Sequence, residues 1–76
     1  MNRDAFLRKF EELLEVPEGS LTEKTELDQV ESWDSLNVIG FIALVDETFQ
    51  REVDPEKIAE CKTVGDLVDL AVAGSP

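Results

Sequence analysis

Apolar residues recur along the start of the chain at a helical interval. Phe6, Leu7, Phe10, Leu13 and Leu14 fall on one side of a helical wheel, with Arg8, Glu11, Glu12 and Glu15 opposite. This predicts a first helix over about residues 3–15, stopped before Pro17 by the breakers in "VPEGS". A second period runs from Ser35 to about residue 51. There Val38, Phe41, Ile42, Val45 and Phe49 share a face, with Ile39 at its border. Leu36, Gly40, Ala43, Glu47 and Gln50 make a small, smooth, lightly charged opposite face, and Asp34 is placed to cap the helix start. "VDPEKIAEC" predicts a short third helix, capped by Asp54 and opened by Pro55, whose missing N–H costs nothing at the first helical position. "TVGDLVDLAVAG" predicts a fourth, with Thr63 and Asp66 as a capping box and Val64, Leu67, Val68 and Ala71 as its inner stripe. Gly74 and Pro76 are expected to end it.

Residues 16–33 show no sustained period. A loop this long in a small domain is more often functional or disordered than idle. Its scattered anchors, Leu21, Leu27, Val30 and Trp33, favour an ordered loop pinned to the core, with a short helical turn near residues 22–26. No segment alternates like a strand, and no repeat or low-complexity tract occurs. The expectation is an all-α fold: a small four-helix bundle with three longer helices, one short third helix and a long loop between the first two. It would form a single domain over residues 1–76.

Composition then excludes most chemistry. A chain of 76 residues buries only about 60% of its unfolded surface, so its core is thin and a deep pocket is not expected. The one cysteine, Cys61, permits no intrachain disulfide and reads as a small, partly buried helix residue. No apolar run approaches the roughly 18 residues of a membrane span, and the acid-rich amphipathic start is unlike a signal or transit sequence. A soluble, cytoplasmic protein is expected. With 18 acids against 7 bases, the net charge is −11. Such a surface repels nucleic acid and anionic membranes and attracts basic protein patches. Regularly spaced hydrophobic residues, 42% of the chain, argue for folding over disorder. Histidine and tyrosine are absent, which removes the commonest general acid–base residue and the commonest zinc ligand. No EF-hand spacing occurs either. Neither an enzyme nor a stable metal site is expected.

Ser35 stands at the mouth of the most apolar segment. An Asp-Ser pair is ordinary helix-start chemistry and by itself gives the serine no function. Three features weigh against that bland reading. Asp34 can cap alone, leaving the Ser35 hydroxyl free; Leu36 is expected exposed beside it; and a long anchored loop delivers it there. An exposed serine at the positive end of a helix suits attachment of an anionic, phosphate-linked group. No histidine or other base in the chain could activate it as a nucleophile, so Ser35 reads as another enzyme's substrate.

The stretch "WDSLNVIGFIALVDETF" resembles the attachment segment of the acyl carrier proteins, and the likeness covers nearly the whole chain. It includes the first amphipathic helix, the long loop, the helix headed by Asp34-Ser35-Leu36, the Phe49–Val53 exit, the short third helix and "TVGDL" opening the last. The resemblance implies that a phosphopantetheinyl transferase moves 4′-phosphopantetheine from coenzyme A onto Ser35. Asp34 would help to ligate a transient magnesium ion during that step. The arm's thiol would then carry acyl groups as thioesters between loading and transfer enzymes with basic docking patches. The matching positions for that docking are Leu36, Ile39, Gly40, Ala43, Asp46 and Glu47, on a protein implied to be monomeric.

Some residues depart from the pattern of carriers in fatty-acid synthesis. Asn37 and Gly40 stand where acids are frequent, and Gly40 is expected to permit close approach by a partner or by the arm. Trp33 replaces a small residue and is expected to pack the loop down. Phe6, Phe10, Phe41 and Phe49 make a bulky core, which implies short or polar cargo. These departures favour a specialised lipid, polysaccharide or secondary-metabolite pathway over housekeeping fatty acid biosynthesis. Two other readings remain open: an aminoacyl carrier of the D-alanyl or peptidyl type, and an unmodified acidic helical interaction module.

Overall fold

The computed structural model describes residues 3–72. Four α-helices follow one another: α1 (Arg3–Leu14), α2 (Ser35–Phe49), α3 (Pro55–Glu60) and α4 (Val64–Val72), with a 3₁₀ turn at Leu27–Gln29 in the long loop. The fold is all-α, and among the described residues the sole β-type pairing is an isolated bridge between Glu26 and Thr63. No described helix is long and apolar enough to cross a membrane. The expected ending of the last helix at Gly74 and Pro76 lies outside the described residues.

Local chemistry sets the helix ends. Asp34 caps α2 by accepting the Asn37 N–H at 2.9 Å, and Asp54 caps α3 by accepting the Glu56 N–H at 2.9 Å. The capping box of α4 forms as the sequence predicts. Thr63 Oγ1 accepts the Asp66 N–H at 3.1 Å, while Asp66 Oδ2 accepts those of Lys62 and Thr63 at 3.0 and 3.2 Å. Both long helices stop slightly earlier than their periodicity suggests. Glu15, after α1, and Gln50, after α2, take left-handed conformations with φ of 59° and 56°. Each turns the chain out of its helix while backbone bonds close the last turn, Val16 N–H to Glu11 O at 3.1 Å and Gln50 N–H to Asp46 O at 2.8 Å.

Helices α2 and α4 each pack against all three other helices, and α2 has its most extensive contact with α1. From α2, the Phe41 ring meets Phe6, Phe10 and Trp33 edge-on, with centroids 6.0, 5.6 and 6.1 Å away. Phe49 extends this aromatic cluster through Phe6, at 5.5 Å. Trp33 therefore packs the loop onto the core, and Leu21, Leu27 and Val30 are buried beside it, as their spacing implies.

The loop is fastened at two places that its sequence does not reveal. Glu11 was expected on the solvent side of α1, yet it is only 1% exposed. Its carboxylate accepts the Gly19 N–H (3.1 and 2.9 Å to its two oxygens) and the Leu21 N–H (2.9 Å), and Arg8 Nε lies 3.2 Å from it. The correction has a plain cause. The loop folds back over the polar side of α1, and its buried N–H groups need acceptors there. The second fastening is to the start of α4. Val64 and Gly65 donate to the carbonyls of Thr25 and Glu23 at 2.9 and 2.8 Å, and Leu27 donates to that of Lys62 at 2.9 Å. Arg3 ties the same region from α1, paired with Glu23 and, at 2.7 Å, with Asp69 of α4. The expected turn near residues 22–26 is a β-turn from Thr22 to Thr25, closed at 3.1 Å, and the 3₁₀ turn comes after it.

Candidate functional site at the head of α2

The loop reaches α2 through Ser32, Trp33 and Asp34. Trp33 donates its N–H to Val30 O at 3.0 Å while its ring enters the aromatic cluster. Asp34 is extended, with φ −136° and ψ −177°, and its own carbonyl accepts the Val38 N–H at 2.9 Å. Ser35 is the first residue of the helix and is exposed. Among the described residues no group hydrogen-bonds its hydroxyl, because Asp34 supplies the cap alone.

Among the described residues, Leu36 and Ile39 are the large apolar side chains left in solvent, 74% and 65% exposed. Ala43, Asp46 and Glu47 are exposed further along the same helix. Ile39, placed by periodicity at the border of the core stripe, thus belongs to the outer surface. Five of the six sequence-derived docking positions are exposed on α2. The sixth, Gly40, is half-buried against α1, and a Cβ there would stand 2.8 Å from Leu13 Cδ1. Within the bundle, the neighbour that this glycine admits is Leu13 of α1.

Two residues outside the predicted site fix the loop that leads to α2, one at each end. Asn37 is half-buried, and its side-chain amide donates to the Ser32 carbonyl. Glu11 holds the other end of the loop. For Asn37 the sequence signal was its amide at the third helical position, one turn behind an Asp cap. For Glu11 there was none, since its wheel position is polar.

Cys61, Asp66 and Glu23 titrate away from their ordinary values for structural reasons. Burial, reinforced by the charges of Asp66, Glu60 and Asp69, pushes the Cys61 thiol up to about 11, so it stays protonated at neutral pH. The backbone N–H groups of Lys62 and Thr63 hold the Asp66 carboxyl below its ordinary range, and the hydrogen bond from Arg3 does the same for Glu23. Among the described residues no three acids or cysteines cluster to hold a metal ion.

The head of α2 fits an anionic ester. Ser35 presents a free hydroxyl there, the first N–H groups of a fifteen-residue helix point the same way, and Leu36 offers an apolar contact. Comparison with known proteins agrees: a family model described as a phosphopantetheine attachment site matches residues 4–71. No curated protein matches the chain.

Proposed function

The chain belongs to the phosphopantetheine attachment-site family, carriers that hold 4′-phosphopantetheine covalently and are not themselves catalysts, and from that premise we propose that Ser35 receives the arm. The observation that carries this reading is the division of labour at the helix start. Asp34 caps the helix through the Asn37 N–H, and Ser35 beside it remains exposed with a free hydroxyl. When bound, 4′-phosphopantetheine supplies a reactive thiol on a long flexible tether.

The chain's own contribution is presentation and address. Proteins of this family work with a phosphopantetheinyl transferase and with acyl-handling enzymes. Here Leu36, Ile39 and Ala43 offer such partners an apolar strip, and Asp46 and Glu47 continue it as an acidic end that steers basic surfaces. Asp34 is exposed next to the hydroxyl, where it could share a magnesium ion with the transferase during modification.

The cargo is an acyl group, short or polar, in a specialised pathway. The edge-packed rings of Phe6, Phe10, Phe41 and Trp33 support this by filling the centre of the bundle where a long chain would lie. The depression beside α2 lined by Ile42, Val53, Asp54 and Pro55 is open to solvent and adds no enclosed chamber.

Intact mass tests the attachment. Incubation with coenzyme A, magnesium and a broad-specificity transferase should add one phosphopantetheine to the wild-type protein and none to Ser35→Ala. A folded wild-type protein that gains no mass would overturn the assignment.

A further inference from the structure

Asn37 spans the attachment motif. Its backbone N–H donates to the Asp34 side chain at 2.9 Å, and its side-chain amide reaches back past the cap to the Ser32 carbonyl. Ser35 sits inside the ring these two bonds close. One side of the ring is held by the Trp33 indole, wedged against Phe10 and Phe41; the other is the first turn of α2. We infer that Asn37 is a positioning residue for the modification of Ser35, locking the Ser32–Asp34 segment to the helix so that the hydroxyl is presented in one orientation. This rests on the carrier reading of Ser35.

The bond to Ser32 needs a donor at this position. The acceptor is a carbonyl, so the partner must be a donor, and an ionised carboxylate has none. An aspartate at 37 would keep the shape but turn a negative oxygen towards the Ser32 carbonyl, one turn from the Asp34 carboxylate. It would not unfold the helix, because a carboxylate in the first turn is favoured by the positive helix end. Asn37→Asp therefore separates the latch from helix formation. Asn37→Ala removes the donor without adding charge.

The ordering lost with one such bond corresponds to about a three- to tenfold effect. With a transferase and coenzyme A, both variants should show kcat for phosphopantetheine addition lowered by about that factor, with KM for the carrier unchanged. Amide exchange at Trp33 and Asn37 should quicken by a similar factor, and emission from Trp33, the only tryptophan, should shift to the red. An unchanged kcat would overturn the inference. So would a loss confined to KM, which would make Asn37 a contact of the transferase. If the folded wild-type protein takes no phosphopantetheine at all, the carrier reading fails on its own account. Exchange then decides the latch: faster exchange in both variants upholds the locked segment, and unchanged exchange overturns it.

Discussion

Glu11 shows how a single side chain can carry a loop. Its two oxygens serve the N–H groups of Gly19 and Leu21, and among the described residues no other acceptor is bonded to either donor. Glu11→Ala leaves the buried Leu21 N–H and the part-buried Gly19 N–H without partners and Arg8 without its ion pair. The expected loss is about 2–3 kcal/mol, read as a lower urea midpoint, with fast exchange confined first to residues 16–22. A uniform loss across the bundle, with loop exchange unchanged, would show that Glu11 acts on α1 alone. Charge pattern could not disclose this role, because a buried glutamate and a solvated one occupy the same wheel position.

Two helical glycines, Gly40 inside α2 and Gly65 in the first turn of α4, differ in what they face. At the interior position, alanine brings about 1 kcal/mol of helix propensity. At Gly65 the new Cβ would meet the Glu23 carbonyl oxygen at 2.7 Å, and that oxygen is backbone, already bonded to the Gly65 N–H. At Gly40 it would meet the tip of Leu13 at 2.8 Å, a methyl that can rotate away. Thermal unfolding should therefore show Gly65→Ala destabilised by about 1–3 kcal/mol and Gly40→Ala within about 1 kcal/mol of wild type. Equal effects would contradict this assignment of neighbours. The C-terminus of α2 offers the opposite case. Gln50 holds φ of 56°, which costs a residue with a Cβ about 1 kcal/mol. Gln50→Gly should stabilise by a few tenths to about 1 kcal/mol, raising Tm without altering phosphopantetheine addition.

The whole molecule responds to pH through a few groups of known sign. Asp66 and Glu23 titrate below their ordinary values of 3.8 and 4.5, so the stability they contribute is present above those values and is lost as pH falls through the folded ones. Cys61 is raised from 9.0 to about 11, so its contribution is intact below 9 and is lost as pH rises towards 11. Urea midpoints should be flat between about pH 5 and 9 and fall on both sides. Cys61→Ser should remove much of the alkaline slope and leave the acid side alone. An alkaline slope unaffected by that change would show that Cys61 does not carry the loss. The net charge of −11 also predicts that moderate salt raises stability by screening self-repulsion.

Four helices, the capping residues Asp34, Asp54, Thr63 and Asp66, the aromatic core and the serine that heads α2 were all legible along the chain. These are local matters. A cap reaches three or four residues, and an apolar stripe is visible wherever a helix has one buried face. Tertiary structure alone decided the burial of Glu11, the pairing of Gly40 with Leu13, the tie between Gly65 and Glu23, and the grip of Arg51 on the carbonyls of Ala71 and Val72 at 3.3 and 3.0 Å. Each joins segments far apart along the chain or depends on which side of a helix the loop crosses. The helical period places a residue on its own helix, but it carries no record of what packs against that face.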